Sequence, residues 1–308
     1  MLNIFTLTIT QLINMFFFMV VGYVMRKRKI GGEGVGTVLS SLLVNLFCPA
    51  ITFSSMSEWF HLSELAENIT FVWAACVTLL LTFPVANVLG RWFGKTGMEK
   101  DIYTYGFLFS NTGYIGTPLV EAVFGSQVLF YYMLFLIPYT IVTYTYGLYI
   151  LNPKRELSWK RILNPNMIAM ILGILVGMTE VKLPAVITSI VYSAKGCMSV
   201  SAMILTGFVL GMMPIRSILK EGKLYLTALV RCVFIPVAGL LICYWLKVDA
   251  KIMTIICTAL AMPMGLNSVV FAESFGGDSK LGAKTSFMTN LLCIITIPIV
   301  FALLEFLT

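Results

Sequence analysis

Charge is scarce in this chain. Lysine and arginine contribute 21 residues and aspartate and glutamate 14, together 11% of 308 residues. That is too little to cover the surface of a water-soluble domain of this size. A hydrophobic fraction of 59% and a mean hydropathy of +0.92 place the chain among polytopic membrane proteins. The net charge of +7 lies in short clusters between apolar runs, with no basic face or tail, which excludes nucleic acid as a partner. Histidine occurs once, at His61 in a predicted outside loop, so a histidine proton relay is not expected.

The seven cysteines (Cys48, Cys76, Cys197, Cys232, Cys243, Cys257 and Cys293) are odd in number, form no CxxC and all fall in apolar runs. They are expected as small buried hydrophobes, neither a disulfide framework nor a metal site. The sequence lacks HExxH, GxSxG and any Cys/His pair. FGGD at 275–278 resembles the GxGD of intramembrane aspartyl proteases, with Phe275 in place of the first glycine, but the other aspartates, Asp101 and Asp249, stand at span ends. No enzyme and no cofactor is expected. The N-terminus MLNIFTLTITQ lacks a basic n-region and is read as a retained first span, not a signal peptide.

What is present is a series of apolar runs. A helix needs about 20 such residues to cross a bilayer. Ten candidates emerge, roughly 4–25, 35–56, 69–89, 102–124, 128–150, 165–179, 185–213, 224–246, 252–275 and 285–307. The loops between them alternate in charge. One set carries sixteen basic residues: Arg26–Lys29, Arg91, Lys95, Lys100, Lys154, Arg155, Lys160, Arg161, Arg216, Lys220, Lys223, Lys280 and Lys284. The other holds only Lys182, Lys247 and Lys251, beside Glu58, Glu64, Glu67, Glu180 and Asp249. Basic loops stay inside. The chain is therefore expected to be multi-pass in the cell (inner) membrane with both termini outside. No loop is long enough to be a domain, so the work is done within the bilayer.

The two halves resemble each other. NTGYIGTPLVEAVFG (111–125) aligns with MPMGLNSVVFAESFG (262–276) at an offset of 151. Pro84 pairs with Pro236 at 152, and Pro138 with Pro298 at 160. Five spans per copy is odd, so the second copy enters from the opposite side. The expected fold is all-α, with ten transmembrane helices in two inverted repeats, residues 1–150 and 165–308. Inverted repeats with glycine- and proline-interrupted helices in matching places point to a secondary transporter site.

The interruptions locate that site. Pro118 lacks an N–H, and Gly113 and Gly116 permit unusual backbone angles. Two half-helices joined by an extended piece are expected there, and again around Pro263, Gly265 and Asn267. Backbone groups freed in hydrocarbon cost several kcal/mol each unless they face protein or a wet cavity. Helix N-termini and the amides of Asn111 and Asn267 suit an anion; the same carboxamide oxygens would also suit a cation. Thr112 joins them on the first break. Lys195, near the middle of the seventh span, is a functional candidate because an intramembrane lysine is expensive. At the repeat offset it falls beside Asn45. Arg231 lies about two turns into the eighth span and is expected to snorkel to the cytoplasmic side. Glu121 and Glu273 are read as gate or helix-end residues.

FLFSNTGYIGTPLVEAVFG, ALAMPMGLNSVVFAESFGGD and NLFCPA together resemble the auxin efflux carrier family in its short bacterial form. The resemblance covers nearly the whole chain. It implies a fold shared with bile-acid sodium symporters. A scaffold domain (spans 1, 2, 6 and 7) would face a transport domain (spans 3–5 and 8–10), with helices 4 and 9 crossing at their breaks. It further implies an elevator-type alternating-access motion and a homodimer through the scaffold domain. The implied activity is secondary active or facilitative transport of small organic anions, such as malonate- or malate-like acids or auxin-like indole acids. Asn111 matches the family's substrate-carboxylate asparagine, Pro118 its first crossover proline and Pro263 its second. No carboxylate stands at mid-depth in any span, which argues against an Asp/Glu proton relay and a bile-acid-type sodium site. A sodium-coupled symporter is the alternative.

Overall fold

The computed structural model describes residues 2–32, 34–60, 62–153, 155, 164–179, 181–275 and 279–307. His61, the FGGD glycines and aspartate, Glu180, Lys154, Lys160 and Arg161 lie outside these, as do the side chains of Glu64, Glu67 and Glu273. Among the described residues the chain is helical, with no strand. The helices are α1 (Leu2–Lys27), α2 (Val35–Trp59), α3 (Leu62–Phe93), α4 (Gly97–Leu108), α5 (Thr117–Phe124) and α6 (Gln127–Leu151). They continue with α7 (Pro165–Thr179), α8 (Ala185–Leu210), α9 (Gly222–Trp245), α10 (Ala250–Ala261), α11 (Asn267–Ser274) and α12 (Lys280–Leu307). Six of the helical stretches are apolar and long enough to cross a membrane. Two helical stretches are interrupted, between α4 and α5 and between α10 and α11.

Large apolar side chains cover the outside. Trp73, Leu80 and Trp92 on α3, Val186 and Ile190 on α8, and Trp245 on α9 are all exposed. A water-soluble surface does not carry such a belt; a lipid-facing one does. Cys76 and Cys197 belong to this outer surface, contrary to the expectation that every cysteine is buried. They sit on the lipid side of α3 and α8, where a small apolar group is equally at home.

Packing is closest where glycine removes the side chain. α1 lies along α8, and α7 along α2. A Cβ on Gly207 would stand 1.8 Å from the Met19 carbonyl oxygen, and one on Gly22 2.0 Å from that of Ile204. The backbones of α1 and α8 therefore touch directly, as small residues allow in membrane helices. α2 also packs on α8, while α3 packs on α4 and α6, and α9 on α10 and α12.

Three helical stretches contain a wide, π-type turn ending two residues before a proline: Leu43–Phe47 before Pro49, Thr112–Gly116 before Pro118, and Val230–Phe234 before Pro236. In each, the residue preceding the proline bonds the carbonyl five back: Cys48 to Leu43, Thr117 to Thr112, Ile235 to Val230. A proline cannot bond the carbonyl four residues before it and its ring crowds that oxygen. One extra residue in the preceding turn relieves the crowding. Pro118 consequently does not break its span. The break lies upstream at 109–111, and Pro118 falls in the first turn of α5, where a missing N–H is harmless. The Tyr114 carbonyl, which Pro118 leaves unserved, accepts from the Ser199 hydroxyl of α8 at 3.0 Å.

Candidate functional site

The two breaks cross. Residues 109–111 and 263–265 run antiparallel as a single bridge between Ser110 and Met264. Asn111 N–H donates to the Pro263 carbonyl at 2.8 Å, and Gly265 N–H to the Phe109 carbonyl at 3.0 Å. Met264 N–H reaches the Thr289 hydroxyl of α12 at 3.3 Å, and the Asn111 carbonyl accepts from Gly116 N–H at 3.0 Å. Backbone groups that two broken helices would otherwise strand in the interior are thus paired with one another. Gly265 allows the close approach, since its Cβ would lie 3.1 Å from the Phe109 oxygen.

A cavity of about 110 Å³ opens on this crossing. Asn111, Thr112 and Gly113 line it from one break, and Gly265 and Asn267 from the other. Cys48 and Thr52 of α2, Tyr139 and Tyr144 of α6 and Asn166 of α7 are among its other polar lining residues. Pro263 contributes its carbonyl to the bridge, and Pro118 stands in the first turn of α5.

The two asparagines differ in state. Asn267 is occupied: its Oδ1 accepts from the Tyr114 hydroxyl at 3.0 Å, and the Tyr105 hydroxyl bonds it as well. Tyr114 spends its only proton there, so the Cys48 thiol, 3.1 Å away, donates to the Tyr114 oxygen. Asn111 is free. Its side chain is 1% exposed, yet neither Oδ1 nor Nδ2 has a partner. Buried polar groups are nearly always paired, and an unpaired one costs about 1–3 kcal/mol.

Behind the crossing stands Arg231. The sequence predicts snorkelling; the structure overturns this. Arg231 is fully buried in the wide turn before Pro236, with Nη2 bonded to the Ser110 hydroxyl. Tyr139, Cys232 and Cys293 flank it, its Nε has no partner, and it makes no ion pair among the described residues. Two turns of depth are not enough to reach water here, because α10 and α12 cover that face of α9. An unpaired buried cation is one of the costliest groups a membrane interior can hold.

Two other candidates lie elsewhere. Asn45 is exposed on the outside of α2, its amide bonded to the Ser41 carbonyl of its own helix at 2.9 Å. It does not line the crossing, because the repeat offset fixes depth and not the face of the helix. Lys195 lines a second cavity of about 260 Å³, together with Glu121, Asn14 and Ser199. Ile51, Gly113, Tyr114, Thr117 and Met198 form the wall shared with the first cavity. The Lys195 ammonium lies 5.2 Å from the centre of the Tyr192 ring. Sequence reasoning missed Ser110, Tyr114, Tyr144 and the Arg231 contact. An arginine inside an apolar run with no nearby carboxylate was the available signal for the last.

The profile of the membrane transport protein family matches residues 7–158 and 154–301. The chain is also similar to an uncharacterized transporter of Methanothermobacter thermautotrophicus. The two are 21% identical over 286 residues, which span 90% of this chain and 92% of the relative.

Proposed function

The chain belongs to the membrane transport protein family, that of the auxin efflux carriers, and from this premise we propose that it carries small organic anions across the cell membrane. One observation carries the reading: an unpartnered, buried asparagine at the helix crossing, with an unpaired arginine behind it. Amide donors and a cation without its anion are the complement of a carboxylate. Size favours a small acid. The cavity's 110 Å³ is below the about 150 Å³ that holds a benzene ring. An indole acid needs a wider conformation than this one.

Movement would follow the packing. α1, α2, α7 and α8 are the scaffold in this reading, and the crossing travels with α3–α6 and α9–α12. Hydrogen bonds that join the two groups include Ser40 to the Val270 carbonyl at 2.8 Å, Cys48 to Tyr114, and Ser199 to the Tyr114 carbonyl, and rings meet across the same boundary at Phe16–Phe287 and Trp59–Phe130. Single, replaceable hydrogen bonds and apolar ring contacts of this kind suit a surface that slides. An inverted ten-span topology with both termini outside, and a dimer through the scaffold, complete the proposal.

Uptake of radiolabelled malonate into proteoliposomes tests it. Asn111→Ala should reduce uptake at least tenfold while the protein stays monodisperse. Unaltered uptake by that variant removes the crossing as the substrate site.

A further inference from the structure

We propose that the crossing binds a single net negative charge: monocarboxylates as such, and dicarboxylates only as their hydrogen anions. The inference rests on the organic-anion reading and adds the charge state of the substrate.

The charges that face the two cavities lead to it. Among the described residues the crossover cavity is lined by no charged side chain, and Arg231, through Ser110, is the cation at its back. The adjoining cavity holds Lys195 and Glu121, whose charges cancel. The other titratable groups around the two cavities and Arg231, among the described residues, include the thiols Cys48, Cys232 and Cys293 and the phenols Tyr105, Tyr114, Tyr132, Tyr139, Tyr144 and Tyr192; Tyr192 lies against Lys195 and donates to the Glu58 carboxylate. Thiols and phenols ordinarily stay neutral below about pH 8. At the crossing itself, Arg231 is therefore the one charge among the described residues. One carboxylate neutralises it. A second would sit in the interior facing only neutral hydroxyl, thiol and amide groups, and an unpaired charge there is expelled or protonated. The second carboxyl of a dicarboxylate enters as COOH, for which Thr52, Asn166 and Tyr144 supply neutral hydrogen-bonding partners.

Malonate and malonamate separate the cases, since they match in size and differ by one charge. Ligand-induced thermal shift of the purified protein gives the apparent affinity of each between about pH 6 and about pH 8. Malonamate affinity should be flat. Malonate affinity should fall about tenfold per pH unit above its second ionisation, because the hydrogen anion is depleted at that rate. Malonate affinity that holds or rises with pH overturns the proposal and leaves the anion reading standing. If the flat malonate profile acquires a slope in Lys195→Ala, the second carboxylate was reaching Lys195, which also overturns it. Binding of neither acid at any pH defeats both readings. Arg231→Gln should lose malonamate binding and Arg231→Lys keep part of it. Should Arg231→Gln fail to fold, the wild-type pH profiles still decide.

Discussion

Asn111 and Asn267 occupy matching places on the two breaks, and their substitutions should separate. Asn111→Ala removes two buried polar atoms that bond nothing, so the ligand-free protein should be as stable as wild type or gain up to about 1 kcal/mol. Asn267→Ala strands the Tyr114 and Tyr105 hydroxyls and should cost about 1–3 kcal/mol. Thermal unfolding in detergent without ligand measures both; a large loss for Asn111→Ala would show that its amide has a structural partner. Both asparagines were legible in the sequence, because polar residues beside glycine and proline in a membrane span have few other reasons to be there. Arg231 was not. Counting from the loop gives its depth, but its burial depends on α10 and α12, which arrive later in the chain. Asn45 failed for the related reason that depth says nothing about direction around a helix.

At the scale of elements, the wide turns before Pro49, Pro118 and Pro236 aim the polar residues. Each extra residue rotates the downstream part of the helix by about 100° relative to a regular one. The Val230–Phe234 turn contains Arg231, and the Thr112–Gly116 turn presents Tyr114 to Asn267. A proline in a sequence announces a disturbance and not its form, so the break expected over the stretch with Gly113, Gly116 and Pro118 lies at its upstream edge, at 109–111. The α1–α8 contact makes a separate prediction. Gly207→Ala sets a methyl 1.8 Å from a backbone oxygen that cannot turn aside, and should cost about 1–3 kcal/mol. Gly196→Ala, on the same helix with nothing within 4 Å, should be neutral or slightly stabilising. Melting temperatures that rank the pair the other way would mean that α1 and α8 do not pack so closely.

For the molecule as a whole, hydropathy and loop charge were enough to read an all-helical membrane protein, because both are imposed by the bilayer and not by tertiary contacts. What the bilayer does not impose is which helix faces which; tertiary packing decides that. One buried feature then has an electrical meaning. If the crossing shuttles across the membrane, Arg231 moves with it. An empty site then carries one elementary charge through the field, and a site filled by a monoanion carries none. Such a charge exchanges about 2.3 kcal/mol with each 100 mV crossed. Voltage would act on the return of the empty carrier and be blind to the loaded one. Exchange of internal for external substrate should be unaffected by an imposed potassium diffusion potential, and net uptake should change several-fold. Equal sensitivity of the two fluxes would place Arg231 outside the moving part. With this arrangement an inside-negative potential would hold the empty carrier facing inward and so slow net uptake, while the cargo would pass as an electrically silent passenger.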